Sequence, residues 1–314
     1  MKKLFLSLAL FGSMLAAMAQ QPKSFDIDMW PNGLPNSNGI DKTQPYDAEK
    51  RNFKPSIRVY LPEDSVKTDM AVLVIPGGGY RVLSLGDEGY NWANEFVPQG
   101  IATIVLSYRM PMGHKEVPMS DATEAIRLIR ENAEKWGINP KKVGVLGSSA
   151  GGHLASTICT HNPEETRPNF QILFYPVISM DMSYTHADSH NCFVGENATK
   201  EMEELYSNQL QVTAQTPPAC IIVADDDFLV HPRNSAEYYL ALKKAGVKAN
   251  IHAYPSGGHG FGCGHRFQYH EQMMADLKAF LDNIKNGDQR RGFGGFGGFG
   301  GQRPQGGQRP QGNR

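Results

Sequence analysis

The run Gly147-Ser148-Ser149-Ala150-Gly151 has the spacing G-x-S-x-G. It follows the apolar run Val143-Gly144-Val145-Leu146 and precedes a helical pattern beginning near Gly152. At such a strand-to-helix junction a sharp turn lifts the serine hydroxyl off the sheet, and side chains in place of the flanking glycines would collide. The chemistry served is attack by Ser149 on an acyl carbon. A hydroxyl is a weak nucleophile at neutral pH and needs a base. His259 is the candidate, in the loop Ser256-Gly257-Gly258-His259-Gly260-Phe261-Gly262 after the run Ile251-His252-Ala253-Tyr254. The imidazole in turn needs a carboxylate to fix its tautomer and stabilise its charged form. Asp225, Asp226 and Asp227 all follow the run Cys220-Ile221-Ile222-Val223. The first aspartates of such a run more often turn a loop or cap a helix. A glycine-rich pentapeptide or a loop histidine alone also suits a plain turn. The order Ser, Asp, His along the chain, with strand and helix around the serine, is what gives the set its weight.

Acyl transfer also needs donors aimed at the developing oxyanion. Pro76-Gly77-Gly78-Gly79-Tyr80 directly follows the apolar run Ala71 to Ile75, and its glycines bare the backbone. The N–H of Gly78 or Gly79, with that of Ala150, can supply two hydrogen bonds, each typically worth about 2.7–4 kcal/mol at the transition state. A phosphate cradle is the rival reading of the glycines, but no G-K-[ST] follows and the spacing is not G-x-G-x-x-G. No organic cofactor is called for. The cysteine spacings do not suggest a zinc site, and no metal is expected.

These groups must be held by a scaffold. The runs Ala71–Ile75, Ala102–Leu106, Val143–Leu146, Ile172–Tyr175 and Cys220–Val223 are continuously apolar, as suits strands buried on both faces. Between them lie helical patterns. Ala122, Ala125, Ile126, Ile129, Ala133 and Trp136 share one face, a second pattern runs from Ala236 to Leu242 with Gly246 as its stop, and a third spans roughly Glu271 to Ile284. Alternation of this kind gives right-handed crossovers and a mainly parallel central sheet with helices on both faces. Functional groups then collect at the carboxyl ends of the strands. Residues 21 to about 54, rich in Pro, Asn, Gly and Asp, read as an irregular leading segment, and the core is expected to begin near Ser56.

Together, these stretches resemble the compact esterase and acetylxylan-esterase branch of the α/β-hydrolases of polysaccharide-degrading bacteria. The likeness rests on Trp30-Pro31-Asn32-Gly33, Pro76-Gly77-Gly78-Gly79-Tyr80, Leu106-Ser107-Tyr108-Arg109, Gly147 through Leu154, Gln215-Thr216-Pro217-Pro218 and Gly257 through Gly262, and covers roughly residues 26 to 285. It implies an α/β-hydrolase fold and a Ser-His-Asp triad in which the register marks Asp227 as the acid, with Asp226 as the substitute. Two features depart from the pattern. Pro76 stands where relatives often carry histidine, and His231 follows Asp227-Phe228-Leu229-Val230 where relatives read Val-Pro; His231 is given a packing role, with contact to substrate as the alternative. The activity implied is hydrolysis of a carboxylic ester, most naturally acetyl groups on xylan or a related plant polysaccharide. A feruloyl esterase and an exported peptidase of the prolyl-oligopeptidase type share the triad order, although the latter needs a propeller for which no repeats exist here. A non-catalytic hydrolase relative that binds glycans is the reading outside enzymology.

The 314 residues carry a formal charge of -1 and no Lys/Arg run, which argues against a nucleic-acid groove or an anionic membrane surface as partner. The expected partner is an acylated polysaccharide or oligosaccharide; oligomeric state is left open. Residues 1–19, with Lys2 and Lys3 ahead of a short apolar run and Ala17 and Ala19 near its end, read as a signal peptide. The protein is therefore expected to be exported, periplasmic or secreted, without stable membrane insertion. Residues 20–289 form the expected catalytic domain. Residues 290–314, repeats of Gly, Phe, Gln, Arg and Pro, form a tail expected to be disordered. Cys159, Cys192, Cys220 and Cys263 allow three pairings, or none if they are buried thiols.

Overall fold

All six of the runs named above, the five continuously apolar ones and Ile251–Tyr254, become adjacent, parallel strands in a computed structural model that describes residues 23–286. The expected signal peptide and the 290–314 tail lie outside the described residues. The strands are β1 (Ser24–Asp28), β2 (Ser56–Tyr60), β3 (Ala71–Ile75), β4 (Ala102–Ser107), β5 (Val143–Ser148), β6 (Gln171–Phe174), β7 (Ala219–Ala224) and β8 (Ala249–Tyr254). Their order in the sheet is β1-β2-β4-β3-β5-β6-β7-β8. The β1–β2 and β2–β4 pairs are antiparallel and the remaining pairs are parallel. This is the α/β-hydrolase architecture expected from the sequence.

Two layers of helices explain why β3, β5, β6 and β7 are buried at every position. On one face lie α2 (Glu116–Glu131), α4 (Ser149–His161) and α7 (Arg233–Lys244), whose Ile126, Leu154 and Tyr238 join a core with Leu73, Val145 and Ile221. On the other lie α1 (Trp92–Phe96) and α8 (His270–Lys285), whose Trp92, Phe96, Met273 and Leu277 close over Val74, Leu146 and Ile222. Alternate residues of one strand thus enter opposite cores, and no position is left to water.

The leading segment is more ordered than its composition suggests. Ser24–Asp28 forms the edge strand β1, its largely exposed side chains pairing with β2 rather than filling a core. The helical pattern through Trp136 also breaks at Asn132 into α2 and the single turn α3 (Ala133–Trp136), ending on Gly137 in a left-handed conformation. Two further helices, α5 (Ala187–Phe193) and α6 (Lys200–Tyr206), lie between β6 and β7 in the chain, and Asp188 of α5 lines the cleft at the site.

β3 and β5 lie side by side at the centre, and the chain leaves β3 toward β4 but leaves β5 toward β6. The crevice beyond the carboxyl ends of these two strands is therefore a topological switch point, where ligands of open α/β sheets bind.

Candidate active site

β5 ends at Ser148 and α4 begins with Ser149, so the serine occupies the turn itself rather than a loop before the helix. Its φ is 53°, a left-handed conformation that costs a non-glycine residue about 1–3 kcal/mol and persists only where the surroundings enforce it. They do so by close packing: a Cβ on Gly151 would sit 2.2 Å from the Ile75 carbonyl oxygen, so only glycine lets α4 start this close to β3.

His259 follows β8 and Asp227 follows β7, so both stand at the same end of the sheet as Ser149. The His259 Nε2 is 2.8 Å from the Ser149 Oγ, and its Nδ1 is 2.7 Å from the Asp227 Oδ2. The aspartate side chain is wholly buried and that of the histidine is 10 % exposed. The other Asp227 oxygen, Oδ1, accepts the N–H groups of Leu229 and Val230 at 3.0 and 2.9 Å, which fixes the carboxylate plane. With a proton on Nδ1 donated to Asp227, Nε2 is left as the acceptor facing the serine hydroxyl. Asp226 is exposed and does separate work, accepting the Gly258 N–H at 2.8 Å and so tying the histidine loop to the loop after β7.

Gly78 and Gly79 line the same cleft as Ser149 and His259. The Gly77 N–H is taken by the Glu88 Oε2 at 3.2 Å, and the next two glycines line the cleft beside Ser149. Gly78 has φ 120°, and a Cβ there would meet the Val82 carbonyl oxygen at 2.2 Å. Ala150 lies in the first turn of α4, where backbone N–H groups lack helical partners. The cleft has a volume of about 590 Å³, and its wall includes Arg81, Val82, His186, Asp188 and Leu229.

Several residues that the motifs did not single out hold this geometry. Glu88, buried on the turn Gly86–Tyr90, receives the Tyr175 hydroxyl on its second oxygen at 2.8 Å. The Tyr175 oxygen in turn accepts the Gly262 N–H at 2.7 Å, and its ring lies 4.6 Å from that of His259. Burial pushes the Glu88 carboxyl above its usual range, against the Tyr175 hydrogen bond and the nearby His259. One carboxylate thereby joins the glycine loop to the histidine loop, and nothing in the local sequence around Gly86-Asp87-Glu88-Gly89 announces it.

A second bridge runs through His153, whose Nδ1 is 2.9 Å from the Tyr80 hydroxyl and whose Nε2 is 2.9 Å from the Tyr206 carbonyl oxygen. Since a carbonyl only accepts, Nε2 carries the proton and Nδ1 accepts from Tyr80. Burial lowers the His153 pKa to about 4, keeping it neutral. Tyr108 also supports the glycine loop, donating its hydroxyl to the Pro76 carbonyl at 3.0 Å. The quoted stretches containing Tyr80, Tyr108 and His153 are thus explained as supports of the site.

A family profile described as alpha/beta hydrolase fold matches residues 72–262, more than half of the chain. The chain belongs to the alpha/beta hydrolase fold family. This α/β-hydrolase is 45% identical over 229 residues to an acetylxylan esterase from Xylanibacter ruminicola, a match covering 72% of the chain and 47% of that relative. It is 28% identical over 226 residues to an ethyl acetate hydrolase from Pseudomonas putida, covering 65% of the chain and 70% of the relative. Among solved structures, an acetyl ester-xyloside bifunctional hydrolase from Caldicellulosiruptor lactoaceticus superposes with a TM-score of 0.73 at 32% identity, covering 85% of the chain and 98% of that structure. The chain spans about half the length of the curated acetylxylan esterase it matches.

His231 proves not to be a packing residue of the α/β-hydrolase core. It is exposed, and its Nδ1 accepts the Arg233 N–H at 3.1 Å at the start of α7. All four cysteines are free thiols, Cys159, Cys220 and Cys263 buried and Cys192 half-buried, and burial raises the pKa of each, that of Cys220 to about 12. Among the described residues, Glu95, His265 and His270 bring three donor atoms within 4.8 Å of one another and are the group whose chemistry could hold a metal ion; none belongs to the Ser149–His259–Asp227 set.

Proposed function

We propose that this α/β-hydrolase is an exported serine carboxylic-ester hydrolase that removes acetyl groups from xylan or a related plant polysaccharide. The observation that carries the reading is the unbroken hydrogen-bonded chain from Ser149 through His259 to Asp227, opening into a cleft lined by bare glycine backbone. His259 Nε2 takes the hydroxyl proton as Ser149 Oγ attacks the ester carbonyl carbon. Negative charge then develops on the carbonyl oxygen, where the N–H of Gly78 or Gly79 and that of Ala150 stabilise it. Collapse of the tetrahedral intermediate breaks the bond to the sugar oxygen, which receives the proton from His259, and leaves Ser149 acetylated. Water, deprotonated by the same imidazole, attacks the acyl-enzyme and releases acetate. Asp227 stays ionised, stabilising the imidazolium in both steps.

Support for acetate over a feruloyl group comes from the cleft wall. Its large apolar side chains are Val82 and Leu229, with no Phe, Tyr or Trp, whereas a bulky aromatic acyl group favours a deeper apolar pocket. Support for a polysaccharide comes from the relatives, named for acetylxylan and for acetyl ester and xyloside hydrolysis. The Ser149→Ala variant should keep the fold and lose acetate release from acetylated xylan by a factor on the order of a million. Undiminished release would overturn the assignment. A parallel panel of feruloylated xylan and an aryl amide tests the acyl group and the bond type. Export predicts a mature chain beginning at Gln20, which mass spectrometry of the secreted protein checks.

A further inference from the structure

Among the described residues, Phe228 is the most exposed large hydrophobic side chain, 89 % accessible, and it directly follows the carboxylate partner of His259. Single exposed apolar residues are ordinary on protein surfaces. Phe228 is not isolated, however, since its neighbour Leu229 and the facing-loop residue Val82 are each 45 % exposed and both line the cleft. Nor is its backbone loose. Asp227 accepts the N–H groups of Leu229 and Val230, the Asp227 N–H donates to the Ala224 carbonyl at 3.2 Å, and Asp226 accepts from Gly258. The ring projects toward that same glycine: a Cβ on Gly258 would lie 3.9 Å from the Phe228 Cε1, one residue from His259. A rigid loop therefore keeps an aromatic face in water at the rim of the catalytic cleft.

We propose that Phe228 is a specificity-determining residue, an aromatic subsite on which a pyranose ring of the polysaccharide stacks beside the acetylated sugar held at Ser149. The inference rests on the ester-hydrolase reading above and adds the surface that would distinguish a polymer from a small ester. The π face of the ring carries partial negative charge and suits the C–H groups on the face of a β-linked sugar, while the stacked area leaves water. The hydroxyls of such a sugar need polar partners, and the cleft supplies the ion pair Arg81–Asp188, 2.8 Å apart and half exposed, together with His186.

The test compares kcat/KM on acetylated xylan with kcat/KM on 4-nitrophenyl acetate, which has no sugar ring to stack, and measures xylohexaose binding by calorimetry. Phe228→Ala should lower the xylan-to-aryl-acetate ratio about tenfold, equivalent to ~1.4 kcal/mol, and weaken xylohexaose binding, whereas Phe228→Trp should keep both. An unchanged ratio with unchanged xylohexaose affinity overturns the subsite, as does an equal loss on both esters, which would mean a damaged catalytic loop. If the unsubstituted enzyme releases no acetate from xylan, the substrate reading fails separately. Loss of xylohexaose binding in Phe228→Ala would then still support the subsite, and retained binding would overturn it.

Discussion

Glu88 is a buried side chain outside the reacting set that ties two loops of the site together. Among the donors to its carboxylate are the Gly77 N–H and the Tyr175 O–H, one on the glycine loop and one linked through Gly262 to the histidine loop. Glu88→Gln keeps the shape but replaces one acceptor oxygen with an NH₂ group, so one of those donors loses its partner in a buried setting. Leaving a buried donor unpaired costs about 1–3 kcal/mol. If that cost falls on the geometry of the transition state, kcat on 4-nitrophenyl acetate should drop roughly ten- to a hundredfold with KM nearly constant. A purely structural role would instead lower the melting temperature and leave kcat per folded molecule unchanged, so paired kinetics and thermal unfolding separate the two.

The elements that carry these groups are held in place by contacts of a different kind. Arg109, just beyond β4, is fully buried and reaches Asp121 on α2 at 2.7 Å and Asp41 in the leading segment at 3.0 Å, while the Trp30 indole N–H donates to the same Asp121 at 2.8 Å. Arg109→Met would leave two buried carboxylates without their cation, a loss of about 3–5 kcal/mol that a denaturant midpoint would register directly. This network explains the Trp30 and Arg109 stretches, which carry structure rather than chemistry. It also shows where the sequence is readable. The central parallel strands announce themselves because both faces are buried, and Ser149 and Asp227 because each follows such a strand; His259 follows the half-exposed β8 and is marked by its glycine-rich loop instead. β1 does not, because its side chains face water and only backbone pairing makes it a strand. Glu88 and Tyr175 are silent for another reason: their partners are 11 to 87 residues away and no local spacing encodes the meeting. Phe228 was visible as a residue, but only its exposure beside Gly258 gives it a role.

For the molecule as a whole, His153 makes global stability sensitive to pH. It joins three parts of the chain that are far apart in sequence: α4, the glycine loop through Tyr80, and the end of α6 through Tyr206. Burial lowers its folded-state pKa to about 4, whereas an unfolded histidine titrates near 6.5. Between those values the unfolded chain binds the extra proton, so stability rises with pH across the window and is lost as pH falls from about 6.5 toward 4. That difference corresponds to about 3 kcal/mol for this one group. Glu88, whose folded pKa is raised by burial, contributes the opposite slope, and the wild-type profile alone therefore mixes the two. Comparison with His153→Gln isolates the histidine. Glutamine can donate to the Tyr206 carbonyl and accept from Tyr80 without titrating, so its unfolding free energy should fall less steeply than that of the wild type between pH 6.5 and 4. Parallel profiles for the two proteins would mean that protonation of His153 is not what weakens the fold in acid.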